Sequence, residues 1–79
     1  MNIAAIKDLT SRASAEELKT AEEAILNGES PAISVPGNDE GEQLTHVLAA
    51  IYVLEQMANG VDTMTAIRAY AQRVRASIS

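Results

Sequence analysis

The sequence predicts an all-α domain of three to four short helices arranged around a central helical hairpin. Two long segments, residues 40–59 and the stretch after residue 62, carry apolar residues at alternating steps of three and four. Good capping residues precede the helical segments, and glycines follow two of them. With 79 residues and no cysteine, the chain should form one domain over residues 1–79 without a disulfide or a thiolate zinc site.

The first two predicted helices are short. Residues 3–11 place three apolar side chains at a spacing of three, with Asn2 in the position of an N-cap. Ser14 and Glu17 have the spacing of a capping box, in which each side chain accepts a hydrogen bond from the other residue's backbone N–H. A second helix should therefore begin after Ser14 and end near residue 27, before Gly28.

Residues 28–41 should interrupt the helices, because they contain two prolines and three glycines. Between the prolines, residues 32–35 favour extended structure and place Ile33 and Val35 on the same side. A single strand is unstable without a neighbour. This segment should therefore pack as a loop or form a short strand that pairs with its copy across a dimer.

The third predicted helix, residues 40–59, carries more apolar surface than one helix of a small domain can hide. One stripe repeats at steps of three and four, and further apolar residues widen it over most of the circumference. A single core in a chain this short rarely supplies more than about 3–5 kcal/mol, so we expect a homodimer built on this helix. The predicted interface consists of Leu44, Val47, Leu48, Ile51 and Leu54.

A fourth helix should begin at Asp62 or Thr63, both of which are good N-caps, after Gly60 has ended the third. Its apolar residues, starting at Met64, again follow steps of three and four. The turn before it is short, so the third and fourth helices should pack as a hairpin with the second helix across it.

The charge is negative overall but unevenly distributed. The formal net charge is −5 and the pI is about 4.6, so the chain repels phosphates and nucleic acid is a poor default partner. The last helix is nevertheless basic, with Arg68, Arg73 and Arg75. These arginines could pair with the acidic helices, within the chain or across a dimer, or form the recognition face of a helix-turn-helix. The acidic pI favours pairing.

The sequence gives no sign of a membrane or export segment. No apolar run approaches the roughly 20 residues that cross a bilayer. The first residues also lack the charged and apolar regions of a signal peptide. We therefore expect a cytoplasmic protein that does not associate with membranes.

The start of the third helix holds the candidate ligand site. Glu42 and His46 lie four apart on one helical face, with about 6 Å between their Cβ atoms, and Asp39 lies nearby. A carboxylate beside an imidazole could bind a metal or a small ligand. The alternatives are a surface hydrogen bond between Glu42 and His46, and an N-cap role for Asp39. Because the chain has one histidine, a usual metal site lacks ligands, and we expect no metal and no cofactor.

Residues 31–46, together with the tail around Arg73 and Arg75, resemble a family of small acidic bacterial proteins whose function is unknown. The resemblance covers nearly the whole chain and is most specific at residues 39–46, which read DEGEQLTH. It implies a free-standing cytoplasmic protein of bacterial type and carries no particular chemistry with it.

Three classes of function remain. The predicted one is an interaction or structural module that forms a homodimer through residues 40–59. The alternative is a metal-binding or small-ligand-binding protein that uses the acidic loop and His46, and the third is a nucleic-acid accessory protein that uses the arginine face. No nucleophile with a neighbouring base and no phosphate-binding loop is recognisable, so we do not expect an enzyme.

Overall fold

The computed structural model describes the backbone of residues 2–78 and the side chains of residues 2–76. Four helices occupy most of this range: α1 spans Ile3–Arg12, α2 spans Ala15–Leu26, α3 spans Glu40–Ala58 and α4 spans Thr63–Ile78. The predicted all-α fold is confirmed. None of the helices in this part of the chain combines the length and the apolar character needed to cross a bilayer.

The first two helices begin at the predicted caps. The Asn2 side chain accepts hydrogen bonds from the backbone N–H groups that open α1. At α2, the Glu17 N–H donates to Ser14 Oγ at 3.1 Å, and the Ser14 N–H donates to Glu17 Oε1 at 2.9 Å. This reciprocal pair is the predicted capping box, and it satisfies backbone donors that the first turn of a helix leaves unpaired.

Carboxylates cap the other two helices. Asp39 Oδ1 accepts from the Glu42 N–H at 2.8 Å, whereas the Glu42 side chain accepts from the Asn38 N–H, one residue beyond the position of a capping box. Asp62 accepts from both the N–H and the hydroxyl of Thr65, at 2.9 and 2.7 Å. The pKa of Asp62 therefore lies below its ordinary value of 3.8, chiefly through the Thr65 backbone N–H and secondly through the hydroxyl.

Helix α3 lies at the centre, in contact with α1, α2 and α4. The predicted hairpin of α3 and α4 is present, but α2 does not lie across it. The backbone of α2 lies close to that of α3 and to no other helix, and the described residues of α2 and α4 do not touch. The short helix α1 fills the position predicted for α2, because it contacts both α3 and α4.

Two clusters of buried side chains cover two different sides of α3. The first joins α2 and the end of α1 to one side of α3, and the second joins α4 and the start of α1 to another. The first contains Leu9, Ala13, Leu18, Ala21, Ile25, Val35, Val47, Ala50 and Ile51. The second contains Ile6, Ala49, Val53, Ala66 and Ile67.

The segment between α2 and α3 packs as a loop. Residues 32–35 form no strand in the described structure. Of the two predicted outcomes the packed loop is the one observed, and a strand that pairs across a dimer stays a prediction. No neighbouring strand is available to pair with this segment. Val35 instead enters the first cluster, Ile33 packs against it, and the Arg12 guanidinium donates a hydrogen bond to the Ser34 carbonyl.

Candidate functional site

His46 is buried in the interior of the fold, with 1% of its surface exposed. The Asn2 N–H donates to His46 Nε2 at 3.1 Å, and Nδ1 lies 2.8 Å from the Pro36 carbonyl oxygen. A backbone N–H can only donate and a carbonyl can only accept, so Nε2 must be the acceptor and Nδ1 must carry the proton. The ring is therefore the neutral Nδ1–H tautomer.

These two hydrogen bonds make His46 a connection between three parts of the chain. The imidazole, on α3, holds both the residue that caps α1 and the loop residue Pro36. Both ring nitrogens are occupied, so no lone pair is left for a metal ion or a substrate. His46 therefore has a positioning role in the folded chain.

The three predicted ligand residues form hydrogen bonds with different partners and do not converge on one site. His46 bonds to Asn2 and Pro36, Asp39 caps α3, and the Glu42 side chain accepts from a backbone N–H before that helix. The Glu42–His46 hydrogen bond considered from the sequence is absent among these contacts. Within residues 2–76, no group of three His, Cys, Asp or Glu side chains is placed to hold a metal ion.

The chain covers more of α3 than the sequence suggested. Val47 is fully buried, Ile51 belongs to the same core cluster, and Leu54 packs against that cluster. These three predicted interface residues face their own chain, so Val47 and Ile51 are not available to a partner. The physical reason is the use of alanine: Ala21 and Ala50 are buried in the same cluster as Val47 and Ile51, and their small side chains permit close approach of α2 and α3.

One face of α3 remains uncovered. It carries Leu44, Leu48 and Tyr52, spaced four residues apart, which we call the α3 outer face. Leu44 packs at the edge of the first cluster and Tyr52 at the edge of the second, whereas Leu48 belongs to neither cluster and is 39% exposed. Leu44 and Leu48 were in the predicted interface, and Tyr52 extends it.

An aromatic pair continues this surface onto α4. The rings of Tyr52 and Tyr70, the two aromatic residues of the chain, lie 5.4 Å apart at 52°. The Arg73 guanidinium lies 5.3 Å from the centre of the Tyr52 ring, within range of a cation–π interaction. A shallow cavity of about 360 Å³ lies against these side chains and Val74.

The basic residues of α4 do not pair with α2. Within residues 2–76 the ion pair that forms is Arg12–Asp8, inside α1. Because α2 and α4 do not touch, the predicted pairing of the last helix with the acidic second helix does not occur within the chain. The part of that prediction that concerns a second copy stays open.

These features define a small all-α domain with a buried structural histidine and an uncovered apolar helix face. The chain belongs to a family of unknown function, DUF6952, whose model matches residues 1–79. This match confirms the prediction that the chain belongs to a family whose function is unknown. No curated protein and no solved structure matches the chain.

Proposed function

We propose that this protein is an interaction module that works as a homodimer, with the α3 outer face as the contact between copies. The observation that supports this proposal most directly is the exposure of Leu48. It sits at the centre of an apolar ridge, belongs to neither core cluster and is 39% exposed.

The geometry of the ridge suits pairing with itself. Side chains four apart on a helix form a ridge that interdigitates with the same ridge of a second helix. In a two-fold contact each copy presents the same patch, so Leu48 would meet its own counterpart while Leu44 would meet Tyr52. Tyrosine and arginine are enriched at the centres of protein interfaces, and Arg73 lies against Tyr52.

Energetics favour an assembly as well. A single core in a domain of fewer than about 80 residues supplies only about 3–5 kcal/mol, and oligomerisation is a common source of further stability. Fully burying a leucine side chain contributes about 1.5–3 kcal/mol. Within its own chain Leu48 is only partly buried, so part of this free energy is still available to a contact between copies. Pairing would complete it in both copies.

The competing functions receive less support. Both nitrogens of His46 are engaged in hydrogen bonds, which disfavours the alternative of a metal or ligand site built on Asp39, Glu42 and His46. The formal net charge of −5 disfavours nucleic acid. We therefore propose a non-enzymatic binding role, with the bacterial cytoplasm implied by the resemblance as its setting.

Sedimentation velocity across micromolar concentrations tests the dimer. The wild-type chain should sediment as a dimer, and Leu48→Asp should sediment as a folded monomer, because a carboxylate would be desolvated at the centre of the contact. Leu26→Asp is the matched control, since Leu26 is 64% exposed at the end of α2 and is not part of the α3 outer face. It should leave the dimer intact.

Ile51→Asp is unsuitable for this test, because Ile51 lies in the first core cluster and the change would unfold the chain whether or not it dimerises. Circular dichroism should show equal helix content for the wild type and both Leu→Asp variants. A wild-type chain that is monomeric at every concentration, or a Leu48→Asp variant that remains a dimer, would refute the proposal.

A further inference from the structure

Two shallow grooves of similar size lie on different parts of the surface. One lies between α1 and α4, has a volume of about 320 Å³, and we call it the basic groove. Its lining includes Ile3, Met64, Ile67, Arg68, Ala71 and Arg75, with no acidic residue. The other lies between α2 and the following loop, has a volume of about 310 Å³, and we call it the acidic groove. Its lining includes Glu16, Glu17, Thr20, Ala21, Ala32 and Ile33.

The basic groove concentrates apolar exposure beside positive charge. Ile3 is 47% exposed and Met64 is also exposed, although both are large apolar residues. Arg68 and Arg75 are seven residues apart on α4, about 10 Å along the helix and on the same side of it. Within residues 2–76 neither arginine forms an ion pair, although Arg68 lies close enough to Asp62 to help lower the pKa of that carboxyl. This wall of α4 therefore offers an apolar contact flanked by two cations.

The acidic groove offers the complementary chemistry. Ala21 and Ile33 contribute apolar surface, while Glu16 and Glu17 place two carboxylates at its side, in the first turn of α2. The Glu17 side chain also accepts the capping hydrogen bond from the Ser14 backbone N–H. Both the acidic groove and the α4 side of the basic groove therefore offer apolar surface, and their charged side chains have opposite signs.

A single chain cannot bring these two surfaces together, because α2 and α4 do not touch. From their complementarity we infer that the α4 wall of the basic groove, carrying Met64, Arg68 and Arg75, docks into the acidic groove of a second copy. Such a contact joins two different patches, and is therefore heterologous. It does not depend on the α3 outer face, and together the two contacts would produce assemblies larger than a dimer.

Net charge works against this contact. Copies that each carry −5 repel one another, so the attraction must come from the local arrangement of arginines and glutamates. Exposed ion pairs are individually weak and are screened by salt. The association should accordingly be weak, favoured at low ionic strength and abolished at high ionic strength.

Sedimentation equilibrium of the Leu48→Asp chain isolates this contact from the proposed dimer. The average mass should rise with concentration at low salt and return to that of a monomer at high salt. Adding Arg68→Glu and Arg75→Glu should weaken the association about tenfold, since attractive pairs become repulsive. Lys7→Glu is a control for half of this change of charge: it lowers the net charge by two rather than four, at a residue that is exposed on α1 and lines neither groove.

Placing positive charge in the acidic groove tests whether association depends on the local arrangement of charges or on the net charge. Glu16→Arg with Thr20→Arg brings the net charge closer to zero, so a purely global effect would strengthen association. We expect it to weaken about tenfold instead. An equimolar mixture of this variant with the Arg68→Glu, Arg75→Glu variant should associate again, because one copy's new glutamates then face the other's new arginines.

Several results would overturn the inference. They are equal masses at low and high salt, stronger association of Glu16→Arg with Thr20→Arg, and no recovery in the mixture. Binding of duplex DNA or of an acidic peptide through Arg68 and Arg75 without self-association would assign the basic groove to a different partner. Circular dichroism checks that each variant is folded, and Leu48→Ser replaces Leu48→Asp if the latter loses helix content.

Discussion

Replacing His46 tests whether its two hydrogen bonds hold the fold together. His46→Ala removes the partner of the Asn2 N–H and of the Pro36 carbonyl, at a residue that is only 1% exposed. Leaving one buried polar group unsatisfied costs about 1–3 kcal/mol. These two groups lie in partly buried surroundings, so water will offset some of that cost, and we expect a total loss of about 2–4 kcal/mol, including the cavity.

That loss is large for a chain of this size. A domain this small has about 3–5 kcal/mol of stability from its core, and each kcal/mol shifts Tm by about 4–8 °C. His46→Ala should therefore lower Tm by at least about 8 °C. Urea unfolding followed by far-ultraviolet circular dichroism measures the free-energy change directly.

His46→Phe separates the hydrogen bonds from the volume of the ring. Phenylalanine fills the same space but leaves the Asn2 N–H and the Pro36 carbonyl without partners, so we expect a loss of at least about 1 kcal/mol. A His46→Phe chain as stable as the wild type, or more stable, would show that His46 acts only by filling space. Long-range proton–nitrogen NMR correlation should also place the imidazole proton on Nδ1, and a proton on Nε2 would contradict the assigned contacts.

Two further predictions concern the ends of helices. Gly37→Ala should destabilise the chain by more than about 1 kcal/mol, because Gly37 has φ +147° and an added Cβ would lie 2.8 Å from the Gln43 backbone nitrogen. Gly41→Ala is the control, since its added Cβ would make only an ordinary contact. This variant should be as stable as the wild type or more stable in the same urea assay. The Thr65 hydrogen bonds lower the pKa of Asp62 below 3.8, so their stabilising contribution should be fully present above that pH and be lost as the pH falls through the lower, folded-state pKa. The stability difference between wild type and Asp62→Asn should therefore shrink in acid, and a difference that grows below pH 3.8 would contradict this sign.

Local chemistry made the helices predictable. Ser14 with Glu17, Asp39, and Asp62 are short-range signals, and each caps a helix where its spacing indicated. A side chain that reaches a backbone N–H three residues away depends on nothing outside that turn. For this reason the starts of the helices followed from the sequence.

The role of His46 was not predictable in the same way. Its partner Asn2 lies 44 residues away in the chain, and no spacing rule connects them. The sequence placed His46 beside Glu42 on one helix face, which suggested a ligand pair. Burial decided the outcome, because an enclosed imidazole must find partners for both nitrogens among the groups that enclose it.

The sequence also could not predict which residues of α3 would remain exposed to a partner. Apolar periodicity showed that α3 needs neighbours on several sides, but it could not divide those neighbours between the chain itself and a partner. Buried alanines let the other helices cover Val47 and Ile51. Only the side of α3 that carries Leu48 stays open, and it forms a narrower surface than the one predicted.

The proposed contact between copies is most directly tested by isotope-filtered NOE spectroscopy on an equimolar mixture of carbon-13-labelled and unlabelled chain. We expect NOEs between copies from the Leu48 methyl groups to Leu48, and from Leu44 to the Tyr52 ring. A mixture that shows no NOE between copies at Leu44, Leu48 or Tyr52, at concentrations where sedimentation detects a dimer, would contradict the assignment of the α3 outer face.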